Sequence, residues 1–96
     1  MDQTQTTRLT DLLNEAQRAH GEYEATELKG VFDEAWPQWY AEYMVDHGLA
    51  DIVGRDVTAE QAADHLASAY AEYDRTDPKP DPTWAEYVAR VWPNEP

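Results

Sequence analysis

The tetrapeptide aromatic-Ala-Glu-Tyr occurs three times, as Tyr40–Tyr43, Tyr70–Tyr73 and Trp84–Tyr87. Residues three apart share a face in a helix but not in a strand, so each copy predicts two rings along one inward stripe, with Ala and Glu outward or to the flank. The flanks repeat at no fixed period, which excludes a solenoid array. The pattern is one local solution used three times in an all-α fold.

Apolar spacing and caps place the helices. Leu9, Leu12, Leu13, Ala16, His20 and Tyr23 form one stripe and predict a first helix over 8–27, with Thr7 or Thr10 as N-cap and residues 1–7 flexible. Gly21 is a weak point inside it, costing about 1 kcal/mol relative to alanine. In "LKGVF" Gly30 offers a turn, and Val31 and Phe32 are expected to tuck back against the core. A second helix over 35–47 follows, with Asp33 as cap and Pro37 in the first turn, where its missing N–H is no loss. Its stripe is Trp36, Trp39, Tyr40, Tyr43, Met44 and His47, and Gly48 is the stop.

"LADIVGRDV" reads as a packed loop or a short helical turn. Thr58 and Gln61 have capping-box spacing, and Ala59, Ala62, Ala63, Leu66, Ala69, Tyr70 and Tyr73 carry the apolar face of a third main helix to about residue 75. "DPKPDP", residues 77–82, is a stiff spacer, because each proline removes a donor and extends the residue before it. Thr83 and Glu86 then open a short fourth helix with Trp84, Tyr87, Val88, Val91 and Trp92 inward, ended by Pro93. Residues 1–96 are expected to form a single helical domain: a compact irregular bundle of three main helices plus the short C-terminal one, folded back across the others.

A chain of 96 residues can build one core, and its eleven aromatic rings would supply much of the buried area. Twenty acids against seven basic residues give a formal charge of −13. The basic residues Arg8, Arg18, Lys29, Arg55, Arg75, Lys79 and Arg90 are scattered. Nucleic acid and anionic membrane are thereby excluded as expected partners, while a basic partner, a cation or no partner remain. No cysteine is present, so disulfides and thiolate chemistry are absent. With no signal-peptide pattern and no long apolar run, a cytoplasmic location is expected.

Helical projection turns His20 and His47 into the aromatic interior and leaves His65 near the edge of its stripe. Buried imidazoles need hydrogen-bond partners. Glu24 lies one turn after His20, so the two share a face and can pair as acid and base or meet one metal, for which His47, His65 or Asp64 would have to complete the set. No Glu-x-x-His or His-Glu-x-x-His motif supports a metal, and no cofactor is expected. Ser68, the lone serine, lies mid-helix without a nucleophile elbow, and no glycine loop suited to phosphate exists.

The runs "HGEYE", "WPQWYAEYM" and "AEQAADHLA" together resemble small acidic bacterial proteins known from genome sequences. The resemblance spans about residues 15–70 and implies no activity, cofactor or site residue.

The leading expectation is a non-catalytic binding or interaction protein that acts on a protein partner or a small molecule and can form a homodimer. Its groove would lie between helices one and two, lined by His20, Tyr23, Glu24, Trp36, Trp39, Tyr40, Tyr43 and His47. Such a role requires Trp36 and Trp39 to stay partly exposed beside a cleft. The alternatives are a small-molecule or metal-dependent enzyme, with His20 as base, Glu24 orienting it and His47 as a second contact, and an acidic mimic of nucleic acid that occupies a basic protein.

Overall fold

The computed structural model describes residues 2–30, 34–79 and 81–92. These form five helices: α1 (Gln3–Thr26), α2 (Trp36–Asp46), α3 (Leu49–Val53), α4 (Ala59–Arg75) and α5 (Trp84–Arg90). No strand occurs among the described residues, and the fold is an all-α bundle. The expectations for Val31, Phe32, Asp33 and Pro93 lie outside the described residues.

The first helix begins earlier than its apolar stripe suggests. Asp2 is the N-cap: its side chain accepts from the Gln5 N–H (2.8 Å), and the Gln5 side chain accepts from the Asp2 N–H (3.0 Å). This reciprocal box satisfies two donors that an uncapped helix would leave open, so 3–7 belong to α1 and neither Thr7 nor Thr10 is its cap. Gln5 also donates to the Ile52 carbonyl (3.1 Å), fixing the start of α1 to α3. At the far end, Lys29 and Gly30 take left-handed angles, and the Gly30 N–H returns to the Glu24 carbonyl (2.8 Å). The last turn of α1, which carries Glu24, is closed by that bond.

Along α1 the buried residues are Leu9, Leu12, Leu13, Ala16 and His20. They pack on α2, α3 and α5, while the largest helix pairing is α2 with α4. Small residues are buried on both helices: Ala41 of α2 and Ala62 and Ala69 of α4. Ala41 and Ala85 therefore point inward, against the expectation that the alanines of the repeated tetrapeptide face out, whereas Ala71 is exposed. The "LADIV" segment is helical for one turn and is bracketed by Gly48 and Gly54, both at positive φ (100° and 79°), where the chain turns into and out of α3.

The capping box of α4 forms as its sequence predicts, with both Thr58–Gln61 bonds at 3.1 Å. The chain then folds back, held at Lys79 and Asp81. Lys79 donates to the carbonyls of Tyr73 (2.7 Å) and Asp74 (2.6 Å) at the C-terminus of α4, where partial negative charge accumulates. Tyr73 donates to the Asp81 carbonyl (3.1 Å), and Arg90 grips the Asp81 carboxylate with Nε and Nη2 (3.1 and 2.9 Å). Thr83 caps α5 by accepting from the Glu86 N–H (3.2 Å). Docked in this way, α5 packs on both α1 and α4 and buries Ala85, Val88, Ala89 and Trp92.

Candidate functional site

Where α1, α2, α4 and α5 converge lies a cleft of about 220 Å³ lined by His20, Glu24, Trp36, Tyr40, Tyr70 and Trp84. The first rings of all three tetrapeptide copies, Tyr40, Tyr70 and Trp84, meet here. Pro37, at the start of α2, fixes the turn that carries Trp36 into the same place. Trp36 is the hub: its ring lies 5.5 Å from Tyr40, 5.2 Å from Tyr70 and 6.0 Å from Trp84, each at 70–80° between planes. Tyr70 and Trp84 are themselves at 86°. Trp36, Tyr70 and Trp84 thus stand as three mutually near-perpendicular walls, the edge-to-face arrangement that ring quadrupoles favour.

On the α1 side stand His20 and Glu24. The His20 ring is buried, 4.9 Å from both Trp39 and Tyr40, and its Nδ1 is 3.6 Å from Glu24 Oε1. Burial, and second the nearby Glu24 charge, push the Tyr40 phenol up to about 12, so that hydroxyl stays protonated at any neutral pH. Among the described lining residues Glu24 is the one carboxylate and none is Lys or Arg.

The eight residues proposed from sequence divide into two groups. His20, Glu24, Trp36 and Tyr40 line the cleft. Tyr23, Trp39, Tyr43 and His47 form a separate row on the outer side of α1 and α2, with near-parallel rings from Trp39 to Tyr43 (5.6 Å, 12°) and from Tyr43 to His47 (3.9 Å, 14°). Trp36 and Trp39 are both partly exposed, as a binding role requires.

His47 is a correction. It is exposed, not interior, because it is the C-cap of α2 with φ −111° and ψ 23°, and a helical projection does not apply to a residue whose backbone has left the helix. Its Nδ1 turns back to the Tyr43 carbonyl (2.7 Å), so that nitrogen carries the proton. The rings of Trp39 and Tyr43 stand between it and His20, and the His20–Glu24–His47 constellation is not assembled. His65 lies elsewhere, edge-on to Trp92 (4.6 Å, 72°). Among the described residues no three His, Asp or Glu side chains come together in a group able to hold a metal ion.

No family model, curated protein or solved structure matches the chain. The site is therefore read from its own geometry.

Tyr70 and Trp84 belong to the cleft and were not among the residues proposed from sequence. The signal was the tetrapeptide itself, whose first ring goes to the cleft in every copy. A second hollow, about 520 Å³, lies among Gln3, Thr6, Thr7, Thr10, Asp11, Asp81, Glu86 and Arg90. It is larger but has no aromatic wall, and its one cation is already bound to Asp81. No described helix is long and apolar enough to cross a membrane.

Proposed function

We propose that the protein is a non-catalytic binding protein whose working surface is the aromatic cleft at the junction of α1, α2, α4 and α5. The observation that carries this reading is Tyr70, a large ring left 40% exposed where it forms a wall at 73° to Trp36 and 86° to Trp84. Covering such a surface stabilises a complex, because Tyr and Trp combine a broad apolar face with a hydrogen-bonding tip at small cost in side-chain entropy. Four rings, Trp36, Tyr40, Tyr70 and Trp84, are gathered in this one lining, while Trp92 is buried elsewhere in the core.

The cleft suits one head group or side chain. Its 220 Å³ falls below the range of about 300–1,000 Å³ usual for drug-sized ligands. The test is a small-fragment screen on the full chain, read by indole N–H resonances. Fragments that shift Trp36 and Trp84, and lose their effect in Tyr70→Ala, support the reading. A screen in which no fragment of any charge moves those two indoles overturns it.

A further inference from the structure

We propose that the cleft binds a methylated ammonium group, as carried by choline-like small molecules or a trimethylated lysine side chain. The inference rests on the binding reading above and adds the ligand's chemical class.

Charge narrows the choice first. Among the described lining residues Glu24 supplies a carboxylate and none is Lys or Arg, and the chain as a whole is at −13, so an anion is repelled at long and short range. A neutral apolar group would satisfy the rings but would gain nothing from the carboxylate or from the negative field of the chain. A cation answers both demands, because the negative faces of Trp and Tyr attract it and the carboxylate neutralises it.

Shape then separates the cations. A guanidinium is flat and stacks along a ring plane. Here Trp36, Tyr70 and Trp84 meet pairwise at 73°, 70° and 86°, the corner of a box, which complements a rounded, tetrahedral group touching several walls at once. A bare ammonium keeps its hydration because its three N–H donors need acceptors, and the walls offer few. Methylation removes those donors and leaves a weakly hydrated cation with an apolar skin. A metal ion would need several oxygen or nitrogen ligands, and the described lining supplies one carboxylate and one imidazole.

The chain already uses the same attraction beside the cleft. Lys79 Nζ sits 5.1 Å from the centre of the Tyr73 ring and the Arg90 guanidinium 5.4 Å from that of Tyr87. Tyr73 and Tyr87 are the second rings of their tetrapeptides, while the first rings, Tyr70 and Trp84, open on the cleft. In α4 and α5, then, one ring of each pair holds an internal cation and the other faces the space assigned to an external one.

The experiment is a titration of the full chain, at constant ionic strength, with choline, with its uncharged carbon isostere bearing a tert-butyl group, and with a peptide containing trimethyllysine. Indole resonances and calorimetry supply the readouts. At least one trimethylammonium ligand should bind about tenfold or more tightly than the isostere. The tighter of the two cations identifies the source, small molecule or protein side chain. Glu24→Gln should weaken the cation about tenfold and leave the isostere unchanged, and Tyr70→Ala, at an exposed position that keeps the fold, should weaken the cation severalfold. If the isostere equals the cations, the ligand class is wrong and the binding reading survives. Failure of both cations overturns the proposal, and the binding reading falls as well only if neutral fragments also leave Trp36 and Trp84 unmoved.

Discussion

His20 Nδ1 stands 3.6 Å from Glu24 Oε1, one turn along α1, with the imidazole buried and the carboxylate open to the cleft. The pair joins the core to the site: the ring that holds the carboxylate is itself packed edge-on to Trp39 and tilted against Tyr40.

His20→Ala should therefore cost about 2–4 kcal/mol of stability, through lost packing against two rings and an emptied interior position. His47→Ala, at an exposed helix end, should stay within about 0.5 kcal/mol and leave ligand binding unchanged. Urea denaturation of the two variants checks both values. Equal losses would contradict the different placements of the two histidines.

Tyr40 should ionise near its raised value of about 12. A raised phenol means that between about pH 10 and 12 the folded chain holds a proton that the unfolded chain has released, so stability is complete below that window and declines through it. The loss attributable to this group is of order 2 kcal/mol. Tyrosinate absorbance in an alkaline titration reads it directly. In Glu24→Gln this step should move down, since one of its two causes is gone.

His65 carries the opposite sign. Burial pushes its imidazole below the ordinary 6.5, against a smaller upward effect from its bond to the Val88 backbone. The folded state thus binds fewer protons than the unfolded state as pH falls from 6.5, and the stability present above that pH is lost as pH falls through the lowered value. The imidazole proton shifts of His65 should titrate below those of a free histidine. His65→Phe should flatten the acid limb of the stability profile.

Asp2→Ala should destabilise the chain by about 1 kcal/mol by removing the cap of α1, while Thr7→Ala and Thr10→Ala should cost a few tenths. Amide exchange over residues 3–8 distinguishes the two outcomes, because only the first change frees the leading turn.

The local features were legible in sequence for a physical reason: a cap or a stripe is decided within a few residues. Thr58 with Gln61, Pro37 at the start of α2, and the stripe from Leu9 to His20 all form as their spacing implies. The start of α1 was missed because "TQTT" has no apolar period, although Asp2 and Gln5 carry capping-box spacing of their own. His47 was misplaced because helical angles were extended one residue too far. Bringing Tyr70 and Trp84 to Trp36 depends on how α4 and α5 cross α2, which is set by tertiary packing and by the bonds that bind Lys79, Asp81 and Arg90. No window of a few residues contains that information.

One wall of the cleft, Trp84, is delivered by the segment that the Asp81 clasp folds back onto α4 and α1. Until α5 docks, the corner has the walls of Trp36 and Tyr70 and lacks the third. A ligand held by all three walls would then favour the docked position of α5 and tie the clasp at Asp81 to the occupancy of the cleft.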